Sequence, residues 1–433
     1  MSETIVIEGG RVIDPASGTD AARVVVLKDG KVAAVAERAD RPSGTKVIDA
    51  RGRWVTPGFV DLHVHLREPG QEYKETVATG ARAAVAGGFT SVVCMPNTKP
   101  VNDTLAVTEL ILARAAAAGL ARVYPCGAIS KGSAGEELAE YGELLAGGCV
   151  ALSDDGKPVM SPGLMRSALE YAKAFGLPLT VHEEDLHLVG KGVMHEGAAS
   201  TRLGLKGIPG QAEDVMVLRD VALAELTGGR LHIAHLSTAG SVRAVREAKK
   251  RGLQVTAEVT PHHLTLSDED VARSGYSTDF KMSPPLRSVE DVQAVVEALA
   301  DGTIDCIATD HAPHSLVEKQ LEFDAALNGI VGLETAFPVC LALVKKGLLT
   351  ERRLIEALTA SPARAFGLPG GTLAVGAPAD VAILDHGAIW TFGPKTSFSK
   401  CFNSPWRGGA MTGRCTHAFV GGKLVHQLPG DAA

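Results

Sequence analysis

No apolar run in this 433-residue chain reaches membrane-spanning length, which argues against an integral helical membrane protein. The opening stretch MSETIVIEGG lacks the basic and apolar regions of a secretory leader, so a cytoplasmic protein is expected. Positive charge is not in surplus. Lys and Arg total 43 against 50 Asp and Glu, a net charge of -7, so neither nucleic acid nor an anionic membrane is an expected partner. There is also no CxxC pair. The seven cysteines (Cys94, Cys126, Cys149, Cys306, Cys340, Cys401, Cys415) are odd in number and scattered, which predicts reduced thiols rather than disulfides or a zinc finger. Small molecules or proteins are left as ligands.

Hydrophobic residues make up 45% of the chain, enough for one large domain and a smaller one. From Trp54 onward, apolar runs alternate with Ala/Leu/Glu-rich helical stretches. The runs are WVTPGFVDLHV, TSVVCMPN, ARVYPCGAI, CVALSDD, LPLTVHEE, RLHIAHLS, LQVTAEVTPHH and TIDCIATDHAPH. Several of the intervening helices end in glycine, a common stop. Eight strands alternating with helices predict an α/β fold, a (β/α)8 TIM-type barrel whose active site lies at the carboxyl ends of its strands. An open doubly wound sheet is the alternative, but no GxGxxG follows the first strand. The termini read as short strands with Gly-containing turns, such as IVIEGGRVIDP and HAFVGGKLV. Neither end alone supplies a core. Residues 1–56 and 368–433 are therefore expected to form one smaller, β-sandwich-like domain, with the barrel at 57–367.

The segment GFVDLHVHLREPG places His63 and His65 two apart. On a strand such residues share a face, about 7 Å apart along it, and two converging imidazoles suit a metal ion. Taken alone, the pair reads equally as two solvated histidines. The other strand ends decide. Asp154 and Asp155 end the fourth run, His182 the fifth, His235 the sixth and Asp310 the eighth, so ligand-type side chains gather on one rim. Four histidines and two carboxylates exceed what one tetrahedral ion needs, and they fit two divalent ions bridged by a shared carboxylate and a hydroxide. His232, three residues from His235, should face the other way as a packing residue. His262 and His263 end the seventh run and receive no role.

These residues carry a resemblance. DLHVHLREPG, MPNT, SDDG, VHEED, HIAHLST, TPHHL, DHAPH, GIVGLET and NSPWRG resemble the dihydroorotases of the amidohydrolase superfamily, most of all the class I bacterial type, over nearly the whole chain. HxH alone would indicate only the superfamily; the arginine after it, SDDG and DHAPH are more specific. The resemblance implies a zinc-dependent cyclic amide hydrolase of pyrimidine synthesis that interconverts L-dihydroorotate and N-carbamoyl-L-aspartate. It implies two zinc ions, one held by His63, His65 and Asp310, the other by His182 and His235, with Asp155 between them. In many relatives a carboxylated lysine takes the place of Asp155. Lys157 is the rival here, but it sits between Gly156 and Pro158 in an apparent turn. Asp154 is expected to point away and cap that turn. Asp310 is implied as the general acid/base that moves a proton from the bridging hydroxide to the leaving nitrogen. Arg67, Asn97 and His314, together with His65, are implied to hold the substrate. Arg67, two residues past His65, should point into the site if the strand continues, rather than pair with Glu68 on the surface.

Two positions depart from the family pattern. Ser283 stands in KMSPPLR where asparagine is usual, and Asn328-Gly329 stands where Phe-Gly is usual. Ser283, Asn328 and Gly329 are the substrate-side candidates the resemblance implies there, the last two largely through their main chain. The connection Ser315 to Gly329 is a candidate lid. A homo-oligomer is expected, and docking to aspartate carbamoyltransferase occurs in the family. The rival readings are a hydantoinase, dihydropyrimidinase or allantoinase, whose substrates lack the ring carboxylate that Arg67 suits, and a silent scaffold that has lost its metals.

Overall fold

The computed structural model describes residues 4–41 and 44–429; the outermost parts of the expected terminal domain, 1–3 and 430–433, and residues 42–43 lie outside the described residues. Eight parallel strands form one sheet in chain order: β1 (Phe59–Val64), β2 (Phe89–Cys94), β3 (Arg122–Gly127), β4 (Ala151–Leu152), β5 (Leu179–Val181), β6 (Leu231–Ile233), β7 (Val255–Val259) and β8 (Cys306–Ile307). A helix follows each strand, from Val77–Gly87 after β1 to Ala336–Lys345 after β8. The ring closes where the His65 N–H donates to the His311 carbonyl at 2.9 Å. Asp61 latches the same seam. Its buried carboxylate accepts from the Thr309 N–H at 3.1 Å and from the Thr309 hydroxyl at 2.6 Å. Burial drives its pKa up to about 7 against the pull of those bonds.

The helices begin and end where the sequence permits. Ser161, Thr238 and Ser288 accept from the N–H three residues on, satisfying donors that the first turn leaves open. Gly88, Gly119, Gly228 and Gly302 close others in the left-handed region. Phe59, Phe89, Ile233, Val259, Ile307 and Leu358 belong to the main core, each contributing about 1.5–3 kcal/mol by leaving water.

The ends of the chain build two further sheets. One has six strands in the order Lys423–Gln427, Ala410–Val420, Val381–Thr391, Trp54–Pro57, Arg11–Asp14 and Thr19–Ala22. The other has four: Lys31–Ala36, Val24–Lys28, Ile5–Glu8 and Lys46–Asp49. Ile7, Val12, Leu27, Ile48, Val55, Val381, Ile383 and Phe419 from both sheets share one core. The barrel with added sheets from both termini is thus the architecture expected. One element differs. WVTPGFVDLHV reads as a single strand, but it divides at Gly58: Trp54–Pro57 pairs with Val381–Thr391, and only Phe59–Val64 enters the barrel. The Gly58 N–H donates to the Asp380 carbonyl at 2.9 Å. A Cβ there would lie 2.1 Å from the Thr90 hydroxyl oxygen, so the crossing point needs glycine.

Candidate metal centre

The rim at the carboxyl ends of the strands brings six expected ligands together, all buried. His63 and His65 come from β1 and its end, Asp155 from just past β4, His182 from the end of β5, His235 from past β6 and Asp310 from past β8. Asp155 is the hub. Its Oδ1 lies 3.3 Å from His63 Nε2, 3.5 Å from His235 Nε2 and 3.7 Å from His182 Nδ1. Its Oδ2 lies 3.5 Å from His65 Nε2. Asp310 Oδ1 sits 2.9 Å from His65 Nε2 and 3.6 Å from His63 Nε2. His182 Nδ1 and His235 Nε2 are 3.0 Å apart. Two groups have their ligand atoms all within 4.8 Å of one another, His63 with Asp155 and His235, and His63 with His65 and Asp310.

His63 Nε2 and Asp155 Oδ1 are buried and lack hydrogen-bond partners. Buried polar atoms are rarely left so, and here a cation ligated by both would satisfy them. The electrostatics agree. Burial alone would raise the Asp155 carboxyl, yet His63, His182 and His235 pull it well below the usual range. Burial would depress His182, but Asp155 and Glu184 lift it to about 10. His63 is likewise raised by Asp155 and Asp310 against its burial. A field that draws protons onto imidazoles this strongly also attracts divalent cations, which compete for the same lone pairs.

A cavity of about 270 Å³ opens over these groups, lined by His65, Asn97, Asp155, His182, His235 and Asp310 and also by Arg67, Glu184, Ser283, His314 and Asn328. Arg67 reaches it by a different route from the one expected. β1 ends at Val64, and Arg67 has a φ of 62°, in a turn rather than on a continuing strand. Its Nε donates to the Pro313 carbonyl at 3.2 Å, and Nη2 approaches His314 Nε2 at 3.3 Å. Glu68 turns elsewhere, to Arg114 at 3.1 Å. Among the described residues Arg67 therefore has no carboxylate partner, although it is buried. Lys74 Nζ lies 3.4 Å from His314 Nδ1, and burial with the neighbouring cations Arg67, Lys74 and Lys319 forces His314 down to about 2, so it stays neutral.

The other candidates take mixed positions. Asn97 faces the cavity, but its carbonyl accepts from His65 Nδ1 at 3.0 Å and its amide donates to the Asp155 carbonyl at 3.3 Å, so it also orients two expected ligands. Ser283 donates to Glu184 at 3.4 Å. The Gly329 N–H donates to the Lys281 carbonyl at 3.0 Å. A Cβ on Gly329 would meet the His314 ring at 2.6 Å, so this glycine makes room for His314. Asp154 does point away, but not into the following turn. Its carboxylate accepts from the Ser130 N–H at 3.0 Å and from the Ser130 hydroxyl, tying β4 to the loop after β3. Lys157 donates to the Ser133 carbonyl at 3.2 Å.

Two carboxylates went unnoticed in the sequence. Glu258 on β7 accepts from His63 Nδ1 at 2.8 Å and from His232 Nε2 at 3.1 Å. Burial would raise it, but His232 and His63 hold it at about 2. His232, expected only to pack, is thus linked through Glu258 to His63 while its ring also meets Phe366 edge-on. Glu184 lies 3.4 Å from His182 Nε2. The signal for Glu258 was a lone acid inside an apolar strand, which demands a buried partner.

Comparison with known proteins follows the same lines. Residues 52–241 match the sequence model of the family described as Dihydro-orotase-like. The chain is 77% identical over 427 residues to a dihydroorotase of Anaeromyxobacter dehalogenans strain 2CP-C, covering 99% of each. It is 55% identical over 423 residues to a dihydroorotase of Geotalea daltonii, covering 98% of this chain and 99% of that protein. Among solved structures it is similar to an L-hydantoinase (dihydropyrimidinase) from Arthrobacter aurescens, with a TM-score of 0.87 at 26% identity, covering 99% of this chain and 96% of that one.

Proposed function

The chain belongs to the dihydroorotase family of cyclic amide hydrolases, and on that premise we propose that it interconverts L-dihydroorotate and N-carbamoyl-L-aspartate at a pair of zinc ions, as a cytoplasmic step of pyrimidine synthesis. One observation carries the choice of substrate. The buried guanidinium of Arg67, with no carboxylate within ion-pair distance among the described residues, faces the same cavity as the Asp155 and Asp310 cluster. Keeping an unpaired charge buried is costly, and a substrate carboxylate would complete it with a planar, bidentate contact. Dihydroorotate has that carboxylate on its ring; hydantoin and allantoin do not.

His63, His65 and Asp310 would hold one ion and His182 with His235 the other, with Asp155 shared between them. When bound, such ions polarise the amide carbonyl and lower the pKa of water. The chain's own groups supply the rest. Asp310 is held below its usual range despite its burial by His63 and His65, so it is a carboxylate at neutral pH, able to accept a proton. In ring opening it takes the proton released as water adds to the carbonyl carbon and delivers it to the ring nitrogen as the C–N bond breaks. In ring closure the same carboxyl moves a proton the other way. Arg67 holds the substrate carboxylate, and neutral His314 and Asn97 offer hydrogen bonds beside it. Self-association and docking to aspartate carbamoyltransferase belong to this reading, and light scattering of the chain alone and of the mixture tests both.

Turnover of dihydroorotate, hydantoin and allantoin by the purified protein, with metal content measured in parallel, is the deciding experiment. Turnover of dihydroorotate alone, with two ions per chain, is expected. Preference for hydantoin or allantoin would reassign the substrate, and full activity in chelated, metal-free protein would overturn the mechanism.

A further inference from the structure

The wall of the cavity that carries Asn328 is built on a segment without regular structure, residues 320–329. Such a segment leaves carbonyls with no ladder to join. Two lysine side chains take four of them. Lys281 Nζ donates to the Asp324 carbonyl at 2.9 Å and the Ala326 carbonyl at 2.7 Å. Lys319 Nζ donates to the Leu327 carbonyl at 2.9 Å and the Gly329 carbonyl at 3.2 Å. Both lysines are buried, and among the described residues neither ammonium has a carboxylate within ion-pair distance. Lysine is almost never buried without such a partner. Two in one place, spending their donors on four carbonyls within the six residues 324–329 of one loop, mark that loop as a part whose position matters. The contact is reciprocal, since the Gly329 N–H returns to the Lys281 carbonyl. Asn403, from the C-terminal part of the chain, donates to the Gly329 and Ala312 carbonyls and accepts from the His314 N–H at 3.1 Å. The held loop is therefore tied to His314, which also faces the cavity.

We propose that Lys281 and Lys319 are positioning residues that act as a two-ammonium clamp, fixing the 324–329 loop so that Asn328 and His314 present a preformed wall to the substrate. The clamp touches neither the expected metal ligands nor the reacting atoms. It sets how tightly substrate is held, and it makes the 324–329 end of the Ser315 to Gly329 connection a fixed wall where the sequence suggested a lid. The geometry stands on its own; only the choice of substrate rests on the dihydroorotase reading.

The test compares wild type with K281M and K319M, which keep the length and apolar stem of the side chain but remove the donors. Each would raise KM about tenfold, the loss of one or two net charge-assisted hydrogen bonds, with kcat and metal content held near wild type. Hydrogen exchange at the amides of residues 320–330 would quicken, while that of the barrel strands stays unchanged. Direct titration with N-carbamoyl-L-aspartate would show the same weakening without turnover. K281R, which retains donors, would recover part of the lost affinity where K281M does not. Unaltered exchange in the loop would show that the lysines do not hold it. Faster exchange with unchanged KM would show that the wall does not bind substrate, and a loss of metal together with kcat would show general damage; each result overturns the proposal. If wild type fails to turn over dihydroorotate, the substrate reading falls, and the exchange arm still judges the clamp.

Discussion

Glu258 holds His63 from behind, its Oε1 accepting from Nδ1 at 2.8 Å, so that Nε2 is left as the lone-pair face toward Asp155 and Asp310. The same carboxylate takes the Nε2 proton of His232, whose Nδ1 in turn accepts from the Thr256 hydroxyl at 2.7 Å. A carboxylate behind an imidazole fixes the tautomer and raises its basicity, a pairing typical behind metal-bound histidines. Replacing Glu258 with Gln keeps the shape but removes the charge. Zinc affinity should fall about 10- to 100-fold while the fold is retained. Competition with a chromogenic chelator measures it, and wild-type affinity would reduce Glu258 to a packing group.

Much of this was legible because the barrel repeats one simple unit. Each apolar run holds one barrel strand, the first of them only after Gly58, and ligand-type residues at the end of β1 and just beyond β1, β4, β5, β6 and β8 met at one rim, as the fold requires. What escaped the sequence depended on contacts between distant segments. Glu258 sits in the middle of a strand, and its meaning appears only when His63, 195 residues away, arrives beside it. Arg67 reaches the cavity through a turn of positive φ, which strand alternation cannot foresee. Gly58 reads as one more strand residue until Thr90 is seen to fill the space of its missing side chain. Asn403 opens NSPWRG, a motif that carries the resemblance but received no role, and it ties His314 to Gly329.

Arg67→Lys tests the substrate contact separately from the metals. Lysine keeps the charge but loses the planar fork, so kcat/KM for dihydroorotate should fall by on the order of 2 kcal/mol, roughly 30-fold. Metal content should not change, because Arg67 is linked to Pro313 and His314 rather than to the expected ligands. Unchanged kinetics would show that the guanidinium does not meet the substrate.

Lys319 should leave a mark on stability against pH. Burial lowers it from 10.5 to about 8. Below pH 8 both folded and unfolded chains carry the proton, so the difference is constant. Between pH 8 and 10.5 the folded chain releases it while the unfolded chain keeps it, and stability rises with pH through that window. The contribution is complete above 10.5 and is lost as pH falls through 8, on the order of 3 kcal/mol in all. A neutral amine still has two N–H groups for the Leu327 and Gly329 carbonyls. Urea midpoints of wild type and K319M at pH 7 to 10.5 should therefore diverge in favour of wild type as pH rises. Parallel curves would place the ammonium in contact with water.

On the proposed two-ion reading, the group shared between the ions is the sharpest question the site poses. A carboxylated lysine would need a long side chain aimed at the imidazoles, and Lys157 is the lysine close by in sequence. Its Nζ instead donates to the Ser133 carbonyl, outside the ring of histidines. Asp155 already stands within 3.3 to 3.7 Å of four imidazoles, offering one oxygen to His63, His182 and His235 and the other to His65. A short carboxylate in that place needs no modification to span two cations. Asp155→Ala should thus lose at least one ion, because it removes the charge that draws His63 and His182 toward cations. Lys157→Ala should keep both ions and most of the activity. Metal-free wild type should regain activity with zinc alone, without bicarbonate. Metal analysis of the two variants and the intact mass of the native protein decide the matter. A bicarbonate requirement, or an added carbon dioxide on Lys157, would transfer the shared position from Asp155 to the lysine.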